Sequence, residues 1–180
     1  MTITPSPRRG RLRRALCVLA LATAATTATI VAGAGAAHAD SSAAIRLGPV
    51  SNPFLTVEVA GASGAAGANV DQWVLNGGAN QVWYMQPYNS HYRFVNKQSG
   101  LCLATDGFAG DTVYQWYCNT STAEQWDTNL VAGNTVGYSI RNVYSNLFLD
   151  VSGDSRSAGA NLDTWYWNGG NNQYFLGTSA

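Results

Sequence analysis

The chain has 180 residues, ten basic and ten acidic, with 11% of its residues charged and 11% aromatic. Five of the basic residues are arginines between Arg8 and Arg14, so from Asp40 onward only Arg46, Arg93, Lys97, Arg141 and Arg156 face all ten acids, a net charge of −5. An acidic domain without a basic run offers no electrostatic footprint for nucleic acid or anionic lipid, which excludes both as partners.

Residues 1–39 read as an export signal. The arginine cluster is followed by an uncharged Ala/Leu/Val/Thr stretch from Ala15, and then by Ala37-His38-Ala39 before Asp40: a basic segment, an apolar segment and a small-x-small cleavage site. A membrane anchor is the competing reading, weakened by the Ala, Thr and Gly content of the stretch. Residues 40–180 are then expected to be one secreted, monomeric domain, large enough to bury a core.

After Asp40 no apolar helical period lasts three turns. Short alternating runs such as "YRFVN", "TVYQWYC" and "YSIRN", bounded by Gly, Asn and Ser, read as strands, which makes the class all-β. "GASGAAG" from Gly61 reads as a flexible loop, since no Lys-Ser/Thr follows to make it a phosphate cradle. Cys102 and Cys118 are an even pair in an exported domain and are expected to form a disulfide.

The strongest signal is internal repetition. "AGANVDQWVLNGGANQVW", from Ala66 to Trp83, returns as "AGANLDTWYWNGGNNQYF", from Ala158 to Phe175, identical at eleven of eighteen positions. A divergent third copy, "VYQWYCNTSTAEQW", runs from Val113 to Trp126 and aligns with both without a gap. The copies divide the domain into units of about residues 44–88, 89–134 and 135–180. Trp73, Trp116 and Trp165 share one column, Asn76, Asn119 and Asn168 another, and Trp83, Trp126 and Phe175 the last. Units this small cannot bury an apolar face alone, so the last column is expected to converge on a shared core. The Asn column, followed by Gly in two units, suits hairpin turns.

The ending Asn-Gly-Gly-x-Asn-Gln-x-Trp at Asn76 to Trp83, with a Cys-Leu or Phe-Leu strand upstream, resembles the Gln-x-Trp repeat of the ricin B-type lectins. The resemblance implies a β-trefoil of three four-stranded units with pseudo-threefold symmetry, a shallow sugar pocket on each, and one disulfide inside a unit. It also implies the pocket residues: a carboxylate after the Cys-Leu dipeptide, a polar residue two before the mid-repeat aromatic, that aromatic, and the Asn before the Gln. In the third unit these are Asp150, Asp163, Trp165 and Asn172, with Gln173 bracing Asp150, although Asp163 stands where the family commonly has Gln. In the first unit they are Glu58, Asp71, Trp73, Asn80 and Gln81, with a carboxylate one methylene longer. In the second they are Ala104, Tyr114, Trp116, Ala123 and Glu124, and no binding of the usual kind is expected there.

Such a pocket needs an aromatic plate for the C–H face of a sugar and fixed acceptors and donors for its hydroxyls, with no metal, cofactor or acid–base catalyst. The expected function is non-catalytic binding of neutral sugars of galactose or xylan/arabinan type on polysaccharides or glycoconjugates. A glycosidase would need two acids held across one bond, whereas here the acids are spread over symmetric positions. A protein-interaction or inhibitor trefoil with relic sugar sites is the alternative.

Overall fold

The computed structural model describes residues 42–131 and 137–180; the export signal expected over residues 1–39 lies outside them. Among the described residues there are twelve strands: β1 (Ala43–Pro49), β2 (Leu55–Val59), β3 (Val70–Val74), β4 (Trp83–Tyr88), β5 (His91–Asn96), β6 (Cys102–Ala104), β7 (Tyr114–Trp116), β8 (Trp126–Val131), β9 (Gly137–Asn142), β10 (Phe148–Val151), β11 (Ala160–Trp165) and β12 (Phe175–Ser179). Of the three runs read as strands from the sequence, "YRFVN" and "YSIRN" lie wholly within β5 and β9. "TVYQWYC" is shorter than expected, three residues only, and just upstream of them Thr112 bridges Asp163 of the third unit.

Six strands close a ring by antiparallel pairing in the order β1, β4, β5, β8, β9, β12 and back to β1. Closure removes the unpaired edges that an open array of the same strands would leave. The remaining strands form one hairpin per unit, β2–β3, β6–β7 and β10–β11. The hairpins meet through Ala160 and Asn161 opposite Gln72 and Asp71, and through the bridges Asn69 to Tyr114 and Thr112 to Asp163. A closed barrel capped by a triangle of three hairpins is a β-trefoil.

Side chains in threes fill the centre. Trp83, Trp126 and Phe175 are completely buried, as are Val57, Leu103 and Leu149 from the three hairpins and Val70, Val113 and Leu162 beside them. Burying each large ring stabilises the fold by roughly 2–3 kcal/mol. The two indoles also satisfy their N–H groups: Trp83 Nε1 donates to the Val57 carbonyl at 3.1 Å and Trp126 Nε1 to that of Leu103 at 3.0 Å. Cys102 and Cys118 are joined in a disulfide inside the second unit.

The segment from Gly61 differs from its expectation of a flexible loop. Ala60–Ala62 form a single 3-10 turn, and Gln115 of the second unit pins the segment by donating from Nε2 to the carbonyls of Ser63 and Ala65 at 3.0 and 2.8 Å. Gln72 of the first unit holds Ser155 and Ser157 of the third in the same way, at 3.0 and 2.8 Å. The Thr164 hydroxyl of the third unit donates to the Phe108 carbonyl of the second at 3.1 Å. The latches run in one rotational sense around the axis, and each residue that makes one immediately precedes a mid-repeat Trp.

Candidate functional site

Each hairpin carries the residues singled out from the repeat on one face. In the third unit Asp150 of β10 lies directly opposite Asp163 of β11, and in the first unit Glu58 of β2 lies opposite Asp71 of β3. Alternation along a strand puts Trp165 and Trp73, two residues further on, on the same face as these acids. A 3-10 turn at the end of each unit then brings in the amides: Asn171–Gln173 in the third and Ala79–Gln81 in the first.

The result in the third unit is a cavity of about 690 Å³ bounded by Asp150, Asp163, Trp165 and Asn172, with Ser152, Asp154 and Asn168 on its rim. The first-unit cavity, bounded by Glu58, Asp71, Trp73 and Asn80, measures about 310 Å³. Four of the five residues predicted in each unit thus meet at one cavity. The fifth, Gln173 or Gln81, lies fully buried beneath it, accepting from the Asn168 or Asn76 N–H at 2.9 Å and donating to the Tyr166 or Val74 carbonyl at 2.9 Å. Gln81 also donates to Glu58 Oε2 at 2.6 Å, so it braces the carboxylate directly. In the third unit the bond to Asp150 Oδ1, at 2.8 Å, comes from Asn172 Nδ2.

The acids are buried, from 3% exposed for Asp150 to 8% for Asp71, while Trp73, Trp116 and Trp165 are each 43% exposed. Asp71 Oδ1, Asp150 Oδ2 and Asp163 Oδ1 have no hydrogen-bond partner. Burial, and then the neighbouring Glu58, push the Asp71 carboxyl up to about 6. Burial also pushes Asp150 up to about 6; the Gln173 and Asn172 amides pull it down, while Asp163 and Asp154 add to the rise. Burial raises Asp163, against a hydrogen bond from Ser152. The raised values follow from holding like charges side by side in a poorly hydrated wall. Asp71 and Asp163 are therefore neither turn caps nor surface charges but one half of a cross-strand pair. Both members of a pair stand on one wall of the cavity, whereas a glycosidase places its acids on two sides of the bond it cuts.

The Asn column makes turns as expected: Asn76, Asn119 and Asn168 accept through Oδ1 from the N–H groups of Gly78, Ser121 and Gly170. Asn76 and Asn168 border the cavities as well. In the second unit, Trp116 and Tyr114 keep their places, but the depression holds Asp106, Asp111 and Thr112 in place of the usual carboxylate and Asn. Tyr114 Oη donates to Asp106 Oδ1 at 2.6 Å. Glu124 keeps the structural half of the Gln role, accepting from the Asn119 N–H at 2.8 Å.

The residues that seat each Trp are absent from the repeat reading. A methyl group on Gly110 of the second unit would stand 3.2 Å from Trp165 Cζ3, and one on Gly159 of the third unit 3.2 Å from Trp73 Cζ3. Gly67 of the first unit faces Trp116 in the same manner at 3.7 Å. All three have φ between +83° and +90°, a conformation that strains any residue with a side chain. Each also donates its N–H to the residue before the Trp: Gly110 to Thr164 O, Gly159 to Gln72 O and Gly67 to Gln115 O, at 2.7–2.8 Å. The trace of this in the sequence is an Ala-Gly pair six residues before each mid-repeat Trp, at Gly67, Gly110 and Gly159.

An exposed indole face beside fixed carboxylate and amide groups suits a small ring with one apolar face and a polar edge. Among the described residues no group of His, Cys, Asp and Glu is placed to hold a metal ion. This fold and these sites define a trefoil with lectin-type pockets. The ricin-type β-trefoil lectin domain-like family matches three overlapping stretches, residues 49–112, 89–165 and 123–180, and the chain belongs to that family.

None of the curated proteins compared with the chain matches it. Among solved structures it is similar to the designed threefold-symmetric protein ThreeFoil, at 28% identity and a TM-score of 0.71 over 76% of this chain and 99% of that one. It is similar to an exo-β-1,3-galactanase from Clostridium thermocellum at 22% identity and a TM-score of 0.71, covering 77% of this chain but only 30% of the enzyme. The C-terminal half of an earthworm R-type lectin, solved with GalNAc, matches at 22% identity and a TM-score of 0.59, over 77% of this chain and 99% of the other.

Proposed function

We propose that this protein is a secreted, non-catalytic glycan-binding domain whose principal site is the third-unit cavity. The observation that carries this reading is the convergence of Asp150, Asp163, Trp165 and Asn172 on one cavity, with Trp165 43% exposed while the polar groups beside it are almost fully buried. A half-exposed indole costs apolar surface in water and gains by receiving a sugar's C–H face. Asp150 and Asp163 line that cavity and supply carboxylates as acceptors for sugar hydroxyls. The first-unit site has the same parts in less than half the volume and is a second, weaker site.

Galactose-type rings, or the pentoses of xylan and arabinan, are the proposed ligands. The earthworm lectin bound to GalNAc and the galactanase that shares the fold support the first of these. Export is supported by the layout of residues 1–39 and by the Cys102–Cys118 disulfide. Two pockets on one rigid body gain avidity on a polymer that neither has alone.

The test is glycan-array binding and isothermal titration against galactosides and arabinoxylan, with Asp150→Ala and Trp165→Ala. Both substitutions are expected to abolish third-unit binding, and unchanged binding in both removes the site. Release of reducing sugar from those polymers by the pure protein would overturn the non-catalytic reading. Protein contact is the second reading, favoured by the groove around Phe54, Val74 and Leu75, side chains that are 83%, 54% and 56% exposed. Absence of all glycan binding would leave that reading standing.

A further inference from the structure

The acids of the domain are not scattered over its surface. Seven of its ten acidic residues border the three symmetric cavities, and among the described residues no Lys or Arg borders any of them. Of the others, Asp127 is paired with His91 and Arg141, at 2.7 and 2.8 Å, and Glu124 is buried on the Asn119 N–H. The third-unit cavity holds three acids, Asp150, Asp163 and Asp154. Two of these are at least nine-tenths buried, and each carries an oxygen without a partner.

A neutral ring does not explain this arrangement. Its hydroxyls could be met by one carboxylate and amides, and burying a second like charge directly opposite the first costs stability unless something offsets it. A ligand carrying positive charge offsets it. The same cavity offers the face of Trp165, which attracts a cation as well as a C–H face. The composition of the wall, two buried carboxylates, a third acid at the rim and an indole, matches a sugar bearing a protonated amino group.

We propose that the third-unit site selects amine-bearing sugars over their hydroxyl and N-acetyl counterparts, with Asp150 and Asp163 receiving the ammonium group and Asp154 adding to the field that draws it in. This rests on the glycan-binding reading and narrows its ligand class from neutral rings, as the sequence alone suggested, to free amino sugars and the polymers that contain them. An acetyl group on the same nitrogen removes the charge and leaves the buried acids uncompensated.

The experiment is titration of the whole domain with galactosamine, galactose and N-acetylgalactosamine at pH 6.5, in low salt and again in 0.5 M NaCl. Galactosamine is expected to bind at least fivefold more tightly than either counterpart in low salt, about 1 kcal/mol, and the advantage is expected to shrink in high salt. Asp154→Asn is the diagnostic variant, because residue 154 is exposed and has φ +50°, which Asn tolerates, so the fold is kept. It is expected to reduce the ratio of galactosamine to galactose affinity. Equal or tighter binding of galactose or N-acetylgalactosamine overturns the amine selectivity and leaves the glycan reading intact. Absence of binding to all three sugars and to the glycan array overturns both.

Discussion

The second and third units are built on one plan, and they part at the pocket. Both keep the buried aromatic, the mid-repeat Trp at 43% exposure and the turn Asn. The third unit keeps Asp150 and Asn172; the second has Ala104 and Ala123 in their places, and its Gln has become Glu124. These second-unit changes are coupled. A Cβ at Gly170 would lie 2.4 Å from Asn172 Oδ1, and one at Gly78 would lie as close to Asn80 Oδ1, so the pocket Asn requires glycine two residues before it. The second unit has Ser121 there, which its Ala123 permits, and Ser121 Oγ accepts from the Ala123 N–H at 3.2 Å instead. Likewise, a Gln donor loses its purpose once Ala104 removes the carboxylate. The comparison separates the residues that keep a trefoil folded from those that keep a pocket open.

The sharpest way to break the comparison is to remove the matching indoles. Trp165→Ala is expected to weaken sugar binding at least thirtyfold, about 2 kcal/mol, while Trp116→Ala changes it less than twofold; calorimetric titration reads both. A loss of equal size in both variants would mean that the second unit binds after all.

Gly110→Ala tests whether the second unit supports the third. Strain at φ +90° and the 3.2 Å approach to Trp165 are expected to cost about 2 kcal/mol in urea unfolding, and to weaken binding at a site whose own residues are untouched. Stability lost without any change in affinity would show that the contact serves folding alone.

Protonation gives the third contrast. The carboxyls of Asp71 and Asp150 sit near 6 in the fold against an ordinary 3.8 in the unfolded chain, so the folded chain holds more protons than the unfolded one between those limits. Stability is therefore expected to fall as pH rises from about 4 to about 7, by on the order of 1 kcal/mol per carboxylate. Thermal unfolding across that range should show the slope, and Asp150→Asn should flatten it. The second unit has no such pair, since Ala104 lies opposite Tyr114 where the third unit sets Asp150 opposite Asp163.

The smallest effect concerns the coupled swap. Ala123→Asn alone is expected to destabilise the domain by about 1 kcal/mol, because the Cβ of Ser121 crowds the new amide; adding Ser121→Gly should recover most of it. A double-mutant cycle that shows simple additivity would refute the coupling.

Much of this was legible in the sequence where the physics is local or periodic. A fixed repeat placed Trp83, Trp126 and Phe175 in one column, and large aromatics recurring once per unit have only the shared axis to fill; all three are fully buried. The pocket residues were legible through the resemblance, and four of five in each of two units meet at a cavity. The pairing of Asp150 with Asp163 was not, since opposition across a hairpin depends on register, which spacing does not disclose. Nor were the seats of the indoles. Gly110 and Trp165 belong to different units and meet only when the ring closes, and the glycine-rich segment read as mobile is held by Gln115, which nothing nearby in the chain announces.

That crosswise seating spreads each site over two units. A unit without the usual carboxylate and Asn still supplies the floor on which its neighbour's indole rests, so a change at Gly110 is felt at the third unit's cavity and not at its own. Each unit thus answers for two places at once, its own cavity and the seat of the next unit's indole.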